Sequence, residues 1–178
     1  MKSAILAIGD ELTCGYRLDT NSQAISRHLT ALPTEVALHL TVGDDMAAIQ
    51  HALRVPLDVA DILIITGGLG PTEDDLTRQA VAAYFGVALV EDAEALARIQ
   101  ERFAHRRLPM PESNRVQALV PAGSTVIQND RGTAAGFYVE TGENTISSYY
   151  GSWKRASSCS SSSAASTNLS SGFSLPVK

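Results

Sequence analysis

Residues 61–77 read DILIITGGLGPTEDDLT, and this stretch decides the fold. Ile62 to Ile65 form an unbroken apolar run, rich in β-branched residues, as expected of a strand buried on both faces. Three glycines and a proline break the run, three acids follow, and from Leu76 to Phe85 apolar positions return at helical spacing until Gly86 closes them. A strand passing through a glycine turn into a helix is half of a βαβ unit and predicts a parallel sheet. Acids are favoured near a helix N-terminus, which is one account of Glu73 and Asp74, with Thr72 as the cap. Asp75 remains unexplained, and so does a turn whose bare backbone lets a ligand approach main-chain N–H groups.

The same alternation extends in both directions. Ser3 to Ile8, SAILAI, is a short apolar run ending at Gly9. From Thr20, Ala24, Ile25, Leu29 and Leu32 recur at helical spacing until Pro33. Glu35 to Val42, EVALHLTV, predicts a second strand; Asp44 or Asp45 then caps a helix carrying Ile49, Ala52 and Leu53 that ends before Pro56. Asp61 to Thr66 is the third strand, and Ala93 to Ala104 a fourth helix with Leu96, Ile99 and Phe103 on one side. Beyond Pro109 the segments PMPESNRVQ, LVPAGSTVI and GFYVE predict short strands joined by turns. Strands alternating with helices define a three-layer α/β/α sandwich around a mostly parallel sheet. From Thr141 the chain becomes serine-dominated, so residues 1–140 are expected to form the domain and 141–178 an irregular tail.

The 178 residues, 44% hydrophobic and 19% charged, suit one soluble domain. A net charge of −5 without a basic run disfavours nucleic acid and acidic membranes as partners. Cys14 and Cys159 make neither a disulfide framework nor a metal knuckle, and the start MKSAILAIGDEL lacks a signal sequence; both fit the cytoplasm. His28, His39, His51 and His105 share no metal-ligand spacing.

In an open parallel sheet, ligands bind beyond the carboxyl ends of the strands. Each of the first three strands ends in glycine beside carboxylate: Gly9-Asp10-Glu11, Gly43-Asp44-Asp45 and the loop Gly67, Gly68, Gly70, Pro71, Thr72. Phosphate on the loop amides would be repelled by Asp74 and Asp75 unless a divalent cation such as Mg²⁺ stood between them. The expected metal ligands are Asp75, Asp74 and Asp44, with Asp75 also in the catalytic role. The expected ligand-binding residues are the loop, Gly9, Asp10, Glu11, Asn21 and Asn114. Capping or turn formation explains Asp44, Asn21 and Asn114 equally well.

IGDEL (8–12), DTNS (19–22), VGDD (42–45), TGGLGPTEDDLTR (66–78) and MPESNR (110–115), followed by NDRGTAAGF (129–137), together resemble the amino-terminal domain of the CinA family. These are competence/damage-inducible proteins of the molybdopterin-binding, MoaB/MogA-like superfamily. The resemblance implies a site at Gly67 to Asp75. In the superfamily this loop receives molybdopterin, and its acidic end, matching Asp75, is associated with Mg²⁺-dependent adenylyl transfer. In CinA proteins the domain is linked to hydrolysis of ADP-ribose to AMP and ribose 5-phosphate. Three readings follow: a nucleotide-diphosphate hydrolase, a molybdopterin-binding or adenylyl-transferring protein, and a non-catalytic remnant. Superfamily domains commonly self-associate, which makes a homo-oligomer plausible, while this chain lacks surface that could contribute to one. After GTAAGF the family continues into a Leu-Pro-Gly-Val-Pro-x-Glu-Met segment, and here the serine-rich tail stands instead, as a truncated or frame-shifted gene would leave it. The resemblance therefore implies a sheet without its last strand and a site without one wall.

Overall fold

The computed structural model describes residues 1–129 and 132–141 in full, and 145–149 as backbone. The elements are β1 (Lys2–Ile8), α1 (Asp10–Thr13), α2 (Thr20–Leu29), β2 (Glu35–Val42), α3 (Met46–Val59), β3 (Ile62–Thr66), α4 (Thr77–Phe85), β4 (Leu89–Glu91), α5 (Ala93–His105), a 3₁₀ helix (Glu112–Ala118), β5 (Leu119–Pro121), β6 (Thr125–Ile127), β7 (Gly136–Glu140) and β8 (Thr145–Tyr149). The main sheet has the order β2-β1-β3-β8-β7-β6; β4 and β5 form a separate antiparallel pair. Strands β2, β1, β3 and β8 run parallel, and β7 is antiparallel to both β8 and β6.

Why the faces are apolar follows from strand position. β1 lies in the middle, and six of its seven residues are buried. Its even-numbered residues Ala4, Leu6 and Ile8 join Leu63 and Ile65 of β3 under Ile49 and Leu53 of α3 and Val81 of α4. Ile5 faces the other way, against Ile25 and Leu29 of α2. β2 is an edge strand and alternates partly buried with exposed positions. Its register shifts by one residue between Ser3 and Ala4, so Ala37 is passed over. That bulge reverses the phase of the strand. Val36 consequently packs with the α2 cluster, while Leu38, Leu40 and Val42 pack with the α3 cluster. A smaller cluster joins Ala95 and Ile99 of α5 to Ala118 and Ala135. With α3 and α4 on one face of the sheet and α2 on the other, the three expected layers are present.

Two expectations change. α3 does not stop before Pro56; it runs through the proline to Val59, with Pro56 buried. The ring removes one helical N–H, but the packing of Ile49, Ala52 and Leu53 around it holds the helix, as tertiary contacts commonly do. The second change concerns the chain after Thr141. Residues 145–149, expected in the irregular tail, form β8 between β3 and β7, with Ile62 opposite Thr145 and Thr66 opposite Tyr149. The sheet therefore has a strand at the position the family resemblance left empty. The rest of the serine-rich segment lies outside the described residues.

Gly67, at the end of β3, has φ 102, and a Cβ there would run into the carbonyl oxygen of Ile8. Gly86, the C-cap of α4, has φ 66 with open space around it. Both positions favour glycine, but only Gly67 is also closed by neighbouring backbone. Gly86→Ala is expected to cost about 1 kcal/mol. Gly67→Ala should cost more, on the order of 3 kcal/mol once strain and collision combine. Urea midpoints of the two variants measure the difference.

Candidate functional site

Register brings the strand ends together. Ile8 lies opposite Val42 and Ala7 opposite Thr66, and the Gly9 amide extends the ladder to the Val42 carbonyl at 2.9 Å. The three glycine–acid segments thus leave one edge of the sheet side by side. Asp10 and Glu11 do not simply end a strand; they open the single turn of α1. The Asp10 amide donates to Asp44 Oδ2 at 2.8 Å, and the Asp44 amide donates to Asp10 Oδ1 at 3.0 Å. This reciprocal clasp ties the end of β1 to the end of β2. It also explains Gly43, since a Cβ there would meet Asp10 Oδ1. Asp45, not Asp44, caps α3, accepting from the Ala48 amide at 2.8 Å.

The glycine loop is held from two sides. Thr77 Oγ1 donates to the Gly67 carbonyl at 2.8 Å, and the Thr77 amide to the Gly68 carbonyl at 3.1 Å. Arg78 Nη2 donates to the Leu69 carbonyl at 2.6 Å, and Nη1 reaches the Gly70 carbonyl at 3.5 Å. On the other side the Asp75 carboxylate accepts from the Gly70 amide at 2.6 Å, the Thr72 amide at 2.9 Å and the Thr72 hydroxyl. α4 begins only at Thr77, with Leu76 as an N-cap that makes no side-chain bond. Glu73, Asp74 and Asp75 therefore precede the helix instead of lining its first turn, and Thr72 is not its cap. Asp75 folds back to organise the loop, and Gly70 is glycine because a Cβ would strike that carboxylate. The space expected for phosphate at Gly70 and Thr72 is taken by Asp75. In a trans peptide C=O and N–H point in opposite directions. With the Gly67 carbonyl turned to Thr77, the Gly68 amide points away from α4.

Other expected residues divide. Asn21 Nδ2 donates to Thr66 Oγ1 at 3.2 Å, which brings the start of α2 to the end of β3. Asp19 caps that helix through the Ser22 amide, so capping is not the role of Asn21. Gly9 and Glu11 belong to the edge. Pro71 is partly buried in the loop, and Asp74 is exposed beside it. The structure does not join Asn114 to these loops; its amide bonds Gln117 within its own 3₁₀ helix, the turn reading. Arg78 and Thr77 were missed. Arg78 is fully buried, alone among the ionisable side chains of the described residues. The signal was its position three and four residues before the buried Val81 and Ala82, which places it on the core face of α4.

Charge explains what the edge lacks. Burial is the first cause pushing the Asp44 carboxyl above its ordinary 3.8; the Asp10 amide opposes it, and the charges of Asp10, Glu11 and Asp75 push further upward. Four carboxylates thus share one electrostatic environment. Among the described residues no group of three or more His, Cys, Asp or Glu side chains is arranged to hold a metal ion, so the set Asp75, Asp74 and Asp44 is not assembled as a cage. A Mg²⁺-like ion requires less, because it keeps several waters and takes one or two carboxylates plus phosphate oxygens. The oxygen-only, mutually repelling donor set around Asp44 fits such an ion and does not fit an all-protein site.

A glycine loop clasped by a carboxylate at the C-terminal edge of a parallel sheet defines an α/β ligand-binding domain. Residues 4–159 match the family model described as "Probable molybdopterin binding domain". The chain is 30% identical to the crystal structure of CinA from Thermoplasma acidophilum, with a TM-score of 0.80 over 88% of this chain and 92% of that one. It is 44% identical over 140 residues to a competence-damage inducible protein of Caldicellulosiruptor saccharolyticus, covering 79% of this chain and 34% of that protein. The match to a CinA-like protein of Dictyoglomus thermophilum is also 44%, over 82% of this chain and 36% of the relative. The molybdopterin biosynthesis enzyme MoaB of Thermus thermophilus shares 25% identity and a TM-score of 0.55, over 87% of this chain and 84% of that one. The chain therefore belongs to the CinA proteins of the molybdopterin-binding domain family, and it spans about a third of the length of the curated relatives it matches.

Two outcomes are expected. Asp75→Ala leaves the Gly70 and Thr72 amides without their acceptor and should destabilise the domain by about 1–3 kcal/mol, with faster hydrogen exchange at those amides. Asp44→Asn should act in the opposite direction. A carboxyl with a raised folded pKa destabilises increasingly as pH climbs from 3.8 to its folded value, and fully above it. In chelator-treated buffer Asp44→Asn should raise Tm at pH 7, and the gain should shrink as pH falls towards 3.8.

Proposed function

We propose that this edge binds a small molecule joining a phosphate or diphosphate to a planar heterocycle, a pterin or a nucleotide, together with a divalent cation such as Mg²⁺. The observation that carries the reading is the gathering of Asp10, Glu11, Asp44 and Asp75 at one sheet edge, where Asp10 and Asp44 clasp each other and the charges of the other three act on Asp44. A domain that needed only stability would gain by losing some of these charges. Asp44, with Asp75 beside it, would hold the ion, which when bound supplies the positive charge that draws phosphate oxygens into an acidic edge. The Gly68 amide would donate to the anion, and Asn21 with Thr66 would border the ligand. Arg78, buried behind the loop, holds its carbonyls fixed, so the loop needs little rearrangement on binding.

A pterin phosphate is the favoured occupant. The family description names molybdopterin, and the fold is shared with MoaB. The second reading is hydrolysis of a nucleotide diphosphate such as ADP-ribose to AMP and ribose 5-phosphate; the 44% identity to CinA-type relatives supports it. In that reaction water would attack one phosphorus while the loop donors stabilise charge developing on the phosphate oxygens, and Asp75 would set the loop.

Calorimetry with ADP-ribose and with molybdopterin, each with and without Mg²⁺, separates the readings when combined with an assay of AMP release. The expected result is binding that requires Mg²⁺ and weakens at least tenfold in Asp44→Asn. Mg²⁺-dependent AMP release lost in Asp75→Ala selects the hydrolase; binding without turnover selects the binding domain. Absence of binding by either compound rejects the site.

A further inference from the structure

We infer that Tyr16 is the platform on which the planar ring of the ligand stacks, an inference that rests on the ligand class proposed above. Tyr16 and Leu18 are each 87% exposed, more than any other exposed large hydrophobic residue among those described; Met1 follows at 64%. Two such side chains, close in one short loop, present apolar surface that the described fold does not cover. Their loop is not loose backbone. The Gly15 amide donates to the Leu12 carbonyl at 3.2 Å, the Arg17 amide to the Glu11 carbonyl at 2.9 Å, and the Thr20 amide to the Leu18 carbonyl at 2.8 Å. Gly15, with φ 75, makes the reversal that begins the loop.

The anchors attach the loop that carries Tyr16 to the strand-end edge. Its neighbour Arg17 bonds Glu11, one residue from the Asp10–Asp44 clasp. The loop then leads through the Asp19 cap to Asn21, which bonds Thr66 at the end of β3. Both ends of the loop thus stand on the strand-end edge, and Tyr16 is held within one residue of a backbone hydrogen bond to it. A tyrosine ring presents a flat face and loses little side-chain entropy on contact, so it suits stacking with a heteroaromatic ring while the phosphate end lies at the glycine loop. Leu18 supplies an apolar border to that ring. The division of labour is chemical: the acidic edge and its cation take the phosphates, and the Tyr16 loop distinguishes ring-bearing ligands from bare phosphates.

The test is calorimetry in Mg²⁺ with ADP-ribose, 6-hydroxymethylpterin diphosphate and inorganic pyrophosphate, on the full chain and on its Tyr16→Ala and Tyr16→Phe forms. Because Tyr16 is exposed, both variants should fold as the parent does. The expected result is a loss of roughly 5- to 100-fold for at least one ring-bearing probe in Tyr16→Ala, the range that base–aromatic stacking contributes. Pyrophosphate affinity should be unchanged, and Tyr16→Phe should restore the loss. The probe that loses affinity identifies the ring as purine or pterin. Unchanged ring-probe affinities in Tyr16→Ala, an equal loss for pyrophosphate, or failure of Tyr16→Phe to restore binding would overturn the stacking role while leaving the phosphate site standing. If the parent chain binds none of the three, the ligand class itself falls, and the stacking role with it.

Discussion

Carboxylates bonded to backbone amides fix the loops at the ends of three parallel strands, and the shape of the candidate site depends on those bonds. Asp10 and Asp44 exchange amide contacts between the first two strand ends. Asp75 does the same work inside the glycine loop. A carboxylate that accepts an N–H is a stronger partner than a neutral oxygen, so the loops gain definition without an apolar core of their own. The glycines follow from this arrangement: at Gly43 and Gly70 the missing side chain is replaced by an acid from elsewhere in the chain.

The same bonds create the electrostatic problem the site must solve. Charges placed to orient backbone also repel one another: burial is the first cause of the raised Asp44 carboxyl, and the charges of Asp10, Glu11 and Asp75 push it further up. Folded proteins rarely retain such repulsion where nothing uses it, and a perturbed carboxylate among like charges is a recognised mark of function. Behind the loop, the buried Arg78 grips carbonyls instead of reaching the open edge. A cation arriving with the ligand would offset the acids in front, which is why one belongs to the proposed reading.

Much of the fold was legible because its signals are local. The DILIITGG run, the EVALHLTV alternation and Gly86 each act through a few neighbouring residues, and β2 and the end of α4 fall where they predict. Asp75 stands out in the sequence as the acid that helix electrostatics does not explain, but its bonds to Gly70 and Thr72 were not foreseen. Those partners lie within five residues, yet a carboxylate turning back on its own loop leaves the same sequence pattern as one facing a ligand. Arg78 was overlooked for a related reason: a charged residue on a buried helix face makes sense only once carbonyls are known to meet it. Pro56 misled because tertiary packing outweighed a local helix-breaking preference. β8 was missed because Thr-Ile-Ser-Ser-Tyr carries little apolar pattern, and its place in the sheet is set by the strands on either side.

That last strand has a kinetic consequence. Among the described residues β8 is the strand that joins the parallel set β2-β1-β3 to the β7-β6 hairpin, and it is the last of these strands to leave the ribosome. Until it threads into the gap, β3 and β7 each present an unsatisfied edge, the kind that recruits strands from other chains. Joining residues 62–66 to 145–149 also requires closing a long loop, a step that slows folding. Assembly should therefore proceed as two preformed halves awaiting a closing zipper, with the interval before closure the period of greatest exposure to aggregation.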